Sequence, residues 1–109
     1  MHPDHGYELN GMAKAQLGLG NARDAVTLFR QVLKLWKKIE MDPCDLAEVW
    51  FDLARALWAG DGDRTEAREL ASRSRKTFEE GQRAKQAREV AGWLARHPTD
   101  RSTIKDRGL

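Results

Sequence analysis

The sequence holds few side chains whose types and spacing could support chemistry. His2, Asp4 and His5 lie together near the N-terminus, and imidazole with carboxylate is a donor set that metal ions accept. No cysteine or further histidine is close to them in the sequence, so we expect no metal site. Asp61-Gly62-Asp63 is similar to the start of a calcium loop, but the sequence lacks the later ligands and the closing glutamate. A turn followed by a helix cap explains these residues.

The sequence gives no better support for nucleophilic catalysis than for metal binding. Cys44 is the single cysteine, and the residues around it include no activating base. No Ser-His-Asp set can be assembled, and His97 before Pro98 is expected at a helix end. We therefore expect no catalytic residue, no metal and no cofactor, and a protein that is not an enzyme. A lone cysteine also cannot form an internal disulfide, which fits a reducing compartment.

Length and charge restrict the class of protein further. The chain has 109 residues, enough for one domain, and its net charge is only +2. The basic segment 73–76, with Arg83 and Lys85, is interspersed with glutamates and is expected to be a solvated helix face. Nucleic acid is therefore not the expected partner. No apolar run reaches the ~20 residues of a membrane span, and no signal peptide is recognisable, so a cytoplasmic location is expected.

Apolar residues recur at helical spacing along almost the whole chain, which predicts five helices. The first is expected from about His5 to Leu17 and ends at the glycines of Gly18-Leu19-Gly20. Asn21 is expected to cap the second with its side chain. The inner face of the first helix is predicted to be Leu9, Met12, Ala13 and Leu17. The inner face of the second is predicted to be Ala25, Phe29, Val32, Trp36 and Ile39.

The later helices are each preceded by an acidic residue. Asp45 with Glu48, and Asp63 with Glu66, have the spacing of reciprocal caps for the third and fourth helices. A fifth helix is expected over about residues 83–96. The buried faces are predicted to be Leu46, Val49, Trp50, Leu53, Ala54 and Leu57, then Ala67, Leu70, Ala71, Ser74 and Phe78, then Ala87, Val90, Ala91 and Leu94. Trp58 and Trp93 lie beside these stripes, and one of them is a candidate anchor for a partner.

The first two helix pairs repeat one another. Leu9, Met12, Ala13 and Ala15 match Trp50, Leu53, Ala54 and Ala56 at one constant offset. Small residues recur where two helices must approach closely. The segment from Leu9 to Ala15, then Gly20, Ala25 and Phe29, resembles the tetratricopeptide pattern. The interval exceeds the usual ~34 residues and is similar to the longer variety in kinesin light chains.

A narrower resemblance covers residues 42–58 and 91–98. These segments are similar to the C-terminal end of tetratricopeptide arrays in bacterial serine/threonine protein kinases of the myxobacterial type. The family implies an all-α, right-handed α–α superhelix with about two helical hairpins and a C-terminal capping helix. It also implies one domain over residues 1–97, with repeats at about 6–40 and 46–80 and the capping helix at about 83–96. Residues 98–109 would be a flexible tail.

The resemblance also implies that alternate helices line a concave groove that binds a protein or peptide. The groove residues it implies are Tyr7, Asn10, Lys14, Leu17, Phe51, Asp52, Arg55, Trp58, Lys85 and Glu89. Asn10 and Lys14 match part of the clamp with which the family grips a C-terminal carboxylate. Asp52 and Glu89 stand where that clamp needs amide and basic groups, so another type of ligand is expected. An amphipathic helix or extended segment with charges of both signs suits this mixture.

The expected function is a non-catalytic interaction or scaffolding module within a larger bacterial signalling protein. Two alternatives remain at this point. A short helical array leaves its first helix uncovered, so self-association into a homo-oligomer is the second hypothesis. Nucleic-acid binding by the basic fourth and fifth helices is the third.

Overall fold

A computed structural model describes residues 3–99 of the chain, which form five α-helices and no strand. The prediction of an all-α chain is confirmed over this range. The side chains of Pro3 and Asp4, and residues 1–2 and 100–109 altogether, lie outside the description. The helices are α1 (Pro3–Gly18), α2 (Ala22–Trp36), α3 (Pro43–Ala59), α4 (Arg64–Glu80) and α5 (Ala84–Arg96).

Each helix packs against the next one in sequence, and α1 also touches α3. The connections are short, at residues 19–21, 37–42, 60–63 and 81–83. Short connections between packed helices produce antiparallel neighbours. The helices therefore form consecutive hairpins, with α3 in the middle of the set.

The apolar stripe predicted for α2 is confirmed. Ala25, Phe29 and Val32 are completely buried, and Trp36 is 2% exposed. Their spacing of three and four residues keeps them on one face, because an α-helix has 3.6 residues per turn. Ile39 lies beyond the end of the helix and is only half-buried. This face supplies the core between the first hairpin and α3.

Helix α3 is buried on more than one side. Its buried residues are Ala47, Val49, Phe51, Asp52, Leu53, Ala54, Ala56 and Leu57. A helix that touches neighbours on several sides loses the clear division into apolar and polar faces. Small residues let α4 approach closely, and there the Ser74 hydroxyl donates a hydrogen bond of 2.6 Å to the carbonyl of Ala47. That bond satisfies a hydroxyl that has no access to solvent.

The helix caps agree with the sequence only in part. The cap of α4 by Asp63 is confirmed, since its Oδ1 accepts from the amide of Glu66 at 3.0 Å, but the reciprocal bond to the Glu66 carboxylate is replaced by a pair with Arg30. The cap assigned to Asp45 is wrong, because α3 begins earlier, at Pro43, and Asp42 accepts from the amide of Cys44 at 2.8 Å. Proline suits the first turn of a helix, where an amide hydrogen would lack a partner.

Asn21 precedes α2 but makes no side-chain cap, so that prediction is also wrong. Its Nδ2 instead donates to Oε1 of Gln16 at 2.7 Å, which joins the two sides of the turn. Gly20 allows the turn by adopting a φ of 88°, a backbone conformation that other residues rarely take. The same turn is therefore stabilised by a contact across the loop and not by a helix cap.

The predicted inner face of α1 contains one error. Ala13 is completely buried and Leu9 and Leu17 are half-buried, but Met12 is 55% exposed. Adjacent residues on a helix are about 100° apart, so burying Ala13 turns Met12 away from the core. At the other end of α1, the indole of Trp36 lies directly against the backbone at Gly6.

Two glycines of α1 are expected to respond oppositely to alanine. A methyl group at position 6 would lie 2.7 Å from Cδ1 of Trp36, whereas one at position 11 would meet nothing within 4 Å. Alanine favours a helix over glycine by up to about 1 kcal/mol. Overpacking costs about 1–3 kcal/mol, so Gly6→Ala should lower the free energy of unfolding by about 1 kcal/mol in total. Gly11→Ala should raise the free energy of unfolding. Urea titrations measure both variants, and equal shifts would contradict the packing of Trp36 against Gly6.

Candidate functional site

A concave groove runs along one side of the helices, with a volume of about 480 Å³. We call it the inner groove. Its walls come mainly from α1, α3 and α5, and Phe78 is the contribution of α4. The lining residues are Lys14, Leu17, Gly18, Glu48, Phe51, Asp52, Arg55, Phe78, Gln86 and Glu89. Helices that alternate along the chain thus share one continuous surface.

The structure brings together six of the ten residues predicted from sequence. They are Lys14, Leu17, Phe51, Asp52, Arg55 and Glu89. The other four lie elsewhere. Tyr7 packs edge-on against Trp36 at 5.0 Å, and Trp58 packs against Trp93 at the far end of α3. Asn10 is half-buried on α1 and Lys85 is exposed on α5, and neither lines the inner groove.

The sequence also contained signals for residues that it did not assign to the groove. Glu48 precedes Asp52 by four residues, and Gln86 precedes Glu89 by three, so each pair shares a helix face. Glu48 was assigned to a helix cap instead. Phe78 was assigned to the core, and it is 4% exposed, yet it also borders the groove.

Charged side chains cross the groove from α1 to α3. Nζ of Lys14 lies 2.5 Å from a carboxylate oxygen of Glu48 and 3.9 Å from one of Asp52. Arg55 donates to Oδ1 of Asp52 at 2.6 Å. Lys14, Glu48 and Arg55 are about half exposed, but the Asp52 side chain is only 7% exposed. The result is a buried carboxylate beneath two cations.

Burial raises the pKa of Asp52 above its usual range. The hydrogen bond and charge of Arg55, and the charge of Lys14, lower it without offsetting the burial, and the charge of Glu48 raises it again. For Lys14, burial alone would lower the pKa. The hydrogen bond to Glu48 and the negative charges of Asp52 and Glu48 outweigh that effect and raise it. The neighbouring cations therefore do not fully offset the cost of burying ionised Asp52, whereas the neighbouring carboxylates stabilise ionised Lys14.

Apolar surface lies beside these charges. Phe51 and Phe78 line the groove although they are only 7% and 4% exposed, and Leu17 is half-buried. The guanidinium of Arg55 lies 5.2 Å from the ring centre of Phe51, a cation–π distance. A ligand could thus make apolar and ionic contacts within one short segment.

An aromatic cluster fixes α5 beside the groove. The ring of Trp93 stacks on the ring of His97, with 4.3 Å between the ring centres. It also packs nearly perpendicular to the rings of Trp58 and Phe51, whose centres are 5.6 Å and 5.9 Å away. Trp93 is only 6% exposed, so Trp58 is the one of the two candidate anchors that still has surface open to a partner. Trp58 is half-buried and covered by the guanidinium of Arg64 at 4.6 Å. These tryptophans hold the helices together.

Arg68 of α4 secures the C-terminal end of α5. It donates to the carbonyls of Leu94 at 2.9 Å and of His97 at 2.8 Å. Carbonyls in the last turn of a helix have no partner within the helix, so an arginine from a neighbour satisfies them. Nδ1 of His97 lies 2.7 Å from the carbonyl of Trp93, which makes the ring nitrogen the donor. The Arg68 bonds hold the end of α5 against α4, and the His97 bond fixes the ring of His97 at that end.

The candidate metal and phosphate sites gain no support in the described part of the chain. Within residues 3–99, no three His, Cys, Asp or Glu side chains are placed to hold a metal ion. His2 and the side chain of Asp4 lie outside the description. In the basic segment, Arg73 lies over the ring of Trp50 at 4.8 Å and Arg75 pairs with Glu79 at 3.3 Å. These arginines therefore already have partners on their own surface.

Cys44 is unpaired and half-buried. None of the helices in residues 3–99 combines the length and the apolar character needed to span a bilayer. In comparisons with known proteins, no family model, curated protein or solved structure matches the chain.

Proposed function

We propose that this chain is a tetratricopeptide-like module that binds a peptide or helix of another protein in the inner groove. The observation that carries the proposal is the shared surface of α1, α3 and α5, with apolar side chains beside charges of both signs. Consecutive helical hairpins whose alternate helices line one concave face are the arrangement that helical repeats use for binding. In this proposal the hairpins follow a right-handed superhelix and α5 caps it.

The groove suits recognition better than chemistry. Four of its five charged groups are held in ion pairs, Lys14 with Glu48 and Arg55 with Asp52, and Lys14 is stabilised as a cation that cannot act as a base near neutral pH. Phe51, Phe78 and half-buried Leu17 supply apolar surface to its lining, which suits an apolar side chain of a ligand. Because its sequence resembles the repeat arrays of bacterial serine/threonine protein kinases, the module would be part of a larger bacterial signalling protein in the cytoplasm.

Site-specific photo-crosslinking in cells tests the proposal. A photoreactive amino acid at Leu17 or at Gln86 would face the groove from two different helices. Both positions should capture the same protein, through the same segment of it. Lys34 on the exposed side of α2 is the matched control and should not capture it. Capture from Lys34 alone, or of unrelated proteins from the two groove positions, would contradict the proposal.

A second function, self-association, is favoured by the exposed side of α1. Tyr7, Met12 and Leu19 are 49%, 55% and 74% exposed, and they are the large apolar residues most open to solvent within residues 3–99. Tyr7 and Met12 lie on α1 and Leu19 directly follows it, so a second copy packed at this end of the chain would cover apolar surface that is open to solvent. Sedimentation of the isolated chain over a range of concentrations decides this: a mass that rises supports it, and a constant monomer mass excludes it.

A further inference from the structure

The charges of the inner groove are unequally matched. It contains two cationic side chains and three carboxylates. Lys14 is paired with Glu48, and Arg55 with Asp52. The side chain of Glu89, on the opposite wall, makes no hydrogen bond or ion pair with any residue of the range 3–99. The groove thus holds one more negative charge than positive.

An acidic ligand would meet a double cost. At Lys14 or Arg55 it would have to share a cation that a carboxylate already neutralises, and drawing Arg55 away would weaken the closest contact of buried Asp52. It would also face the negative charge of Glu89. A like charge at a binding surface opposes association and so acts against wrong partners.

A basic ligand meets the opposite conditions. Its cation would pair with Glu89 and would add the positive charge that Asp52 lacks, because Arg55 and Lys14 do not offset the burial of that carboxylate. Lysine and arginine also carry apolar stems that pack on hydrophobic surface while the charged group stays in a polar environment. Leu17 and Phe78 provide such a surface in the same groove.

From this charge pattern we infer that the partner's binding segment is basic and amphipathic. An arginine or lysine of the segment contacts Glu89, and a bulky apolar residue one helical turn away packs against Leu17 and Phe78. This inference rests on the proposed function, because it describes the ligand of the same groove. It adds the sign of the ligand's charge, which the mixed composition of the groove left open.

Fluorescence polarisation with two labelled peptides, both blocked at their ends, tests the inference. In one peptide arginine and leucine lie one helical turn apart, and in the other each arginine is replaced by glutamate. The arginine peptide should bind and the glutamate peptide should not. Binding should weaken as salt is added, because part of the attraction is ionic. Free spermine should not compete well, because it lacks the apolar residue.

Glu89→Gln is the decisive variant, because Glu89 is exposed and its replacement leaves the core unchanged. It should weaken binding of the arginine peptide about tenfold, in the range of a hydrogen-bonded charge pair. Glu69→Gln, an exposed glutamate of α4 outside the inner groove, is the control and should have no effect.

Several results would overturn the inference. Equal binding of the two peptides, full competition by spermine, unchanged affinity of the Glu89 variant, or no binding of the arginine peptide would each contradict it. Preferential binding of the glutamate peptide, lost on replacing Arg55, would refute the basic partner while leaving groove binding intact. The crosslinking result decides groove binding separately.

Discussion

Trp93→Ala is expected to lower the free energy of unfolding by about 3–5 kcal/mol, the usual cost of removing a buried tryptophan. Trp93 is 6% exposed and contacts Phe51, Trp58 and His97. Its loss would remove the aromatic contact between α5 and α3. A cost of that size is a large part of the free energy of unfolding of a typical domain. Urea titration followed by far-UV circular dichroism measures the change.

A matched control separates this effect from the loss of any tryptophan. Trp50, a residue of α3, is half-buried, with its ring under the guanidinium of Arg73. Trp50→Ala should lower the free energy of unfolding by about 1–2 kcal/mol, because the half-buried side chain of Trp50 has less apolar area shielded from water than that of Trp93. Trp93→Ala alone should also increase hydrogen exchange of the α5 amides and weaken partner binding. Equal costs for the two variants would contradict the described packing of α5.

Arg55→Met is expected to lower the free energy of unfolding by about 2 kcal/mol at neutral pH. Asp52→Asn is expected to lower it much less. A hydrogen bond to a charged group contributes about 1.5–3 kcal/mol, and the half-exposed arginine places the value in the lower part of that range. Removing the cation leaves a carboxylate that is 7% exposed without its closest partner. Removing the carboxylate leaves Arg55 free to turn towards water.

The cost of Arg55→Met should depend on pH in a defined direction. Burial already raises the folded-state pKa of Asp52 above the unfolded value, and losing Arg55 raises it further. A raised carboxyl pKa means that the folded state holds the proton more tightly, so stability falls as the pH rises through this window. The difference between wild type and Arg55→Met should therefore be largest near neutral pH and vanish at a pH below the usual aspartate range.

The double variant isolates the contact between the two residues. In an Asp52→Asn background, Arg55→Met should have little effect, so the two substitutions should show a strong coupling free energy. The groups that surround Asp52 are Lys14 of α1 and Glu48 and Arg55 of α3, with Glu89 of α5 on the opposite wall. Additive effects, or a cost independent of pH, would contradict the geometry of this pair.

The sequence predicted the helices well where apolar residues are dense. The stripe of α2 and the cap at Asp63 follow from spacing and residue type alone, because both depend on neighbours within one helix. Asp42 was missed as a cap although Pro43 signals the start of a helix. Met12 was misplaced because α1 carries few apolar residues to define its inner face.

The candidate site was harder to predict from sequence because its residues come from separate helices. Lys14 and Asp52 were assigned to one groove through the resemblance to tetratricopeptide repeats, and the structure places them 3.9 Å apart. The burial of Trp93 depends on how α5 lies across α3, which no local pattern encodes. The same holds for Trp58 and Arg64, whose contact joins two helices across a turn.

The central claim is that the inner groove is where the partner segment binds. The most direct test is an NMR titration of the isotope-labelled chain with the segment identified by crosslinking. Amide shifts should change around Lys14, Leu17, Arg55, Gln86 and Glu89, in α1, α3 and α5 together. Changes confined to the outer surfaces of α2 and α4, with these five positions unaffected, would contradict the claim.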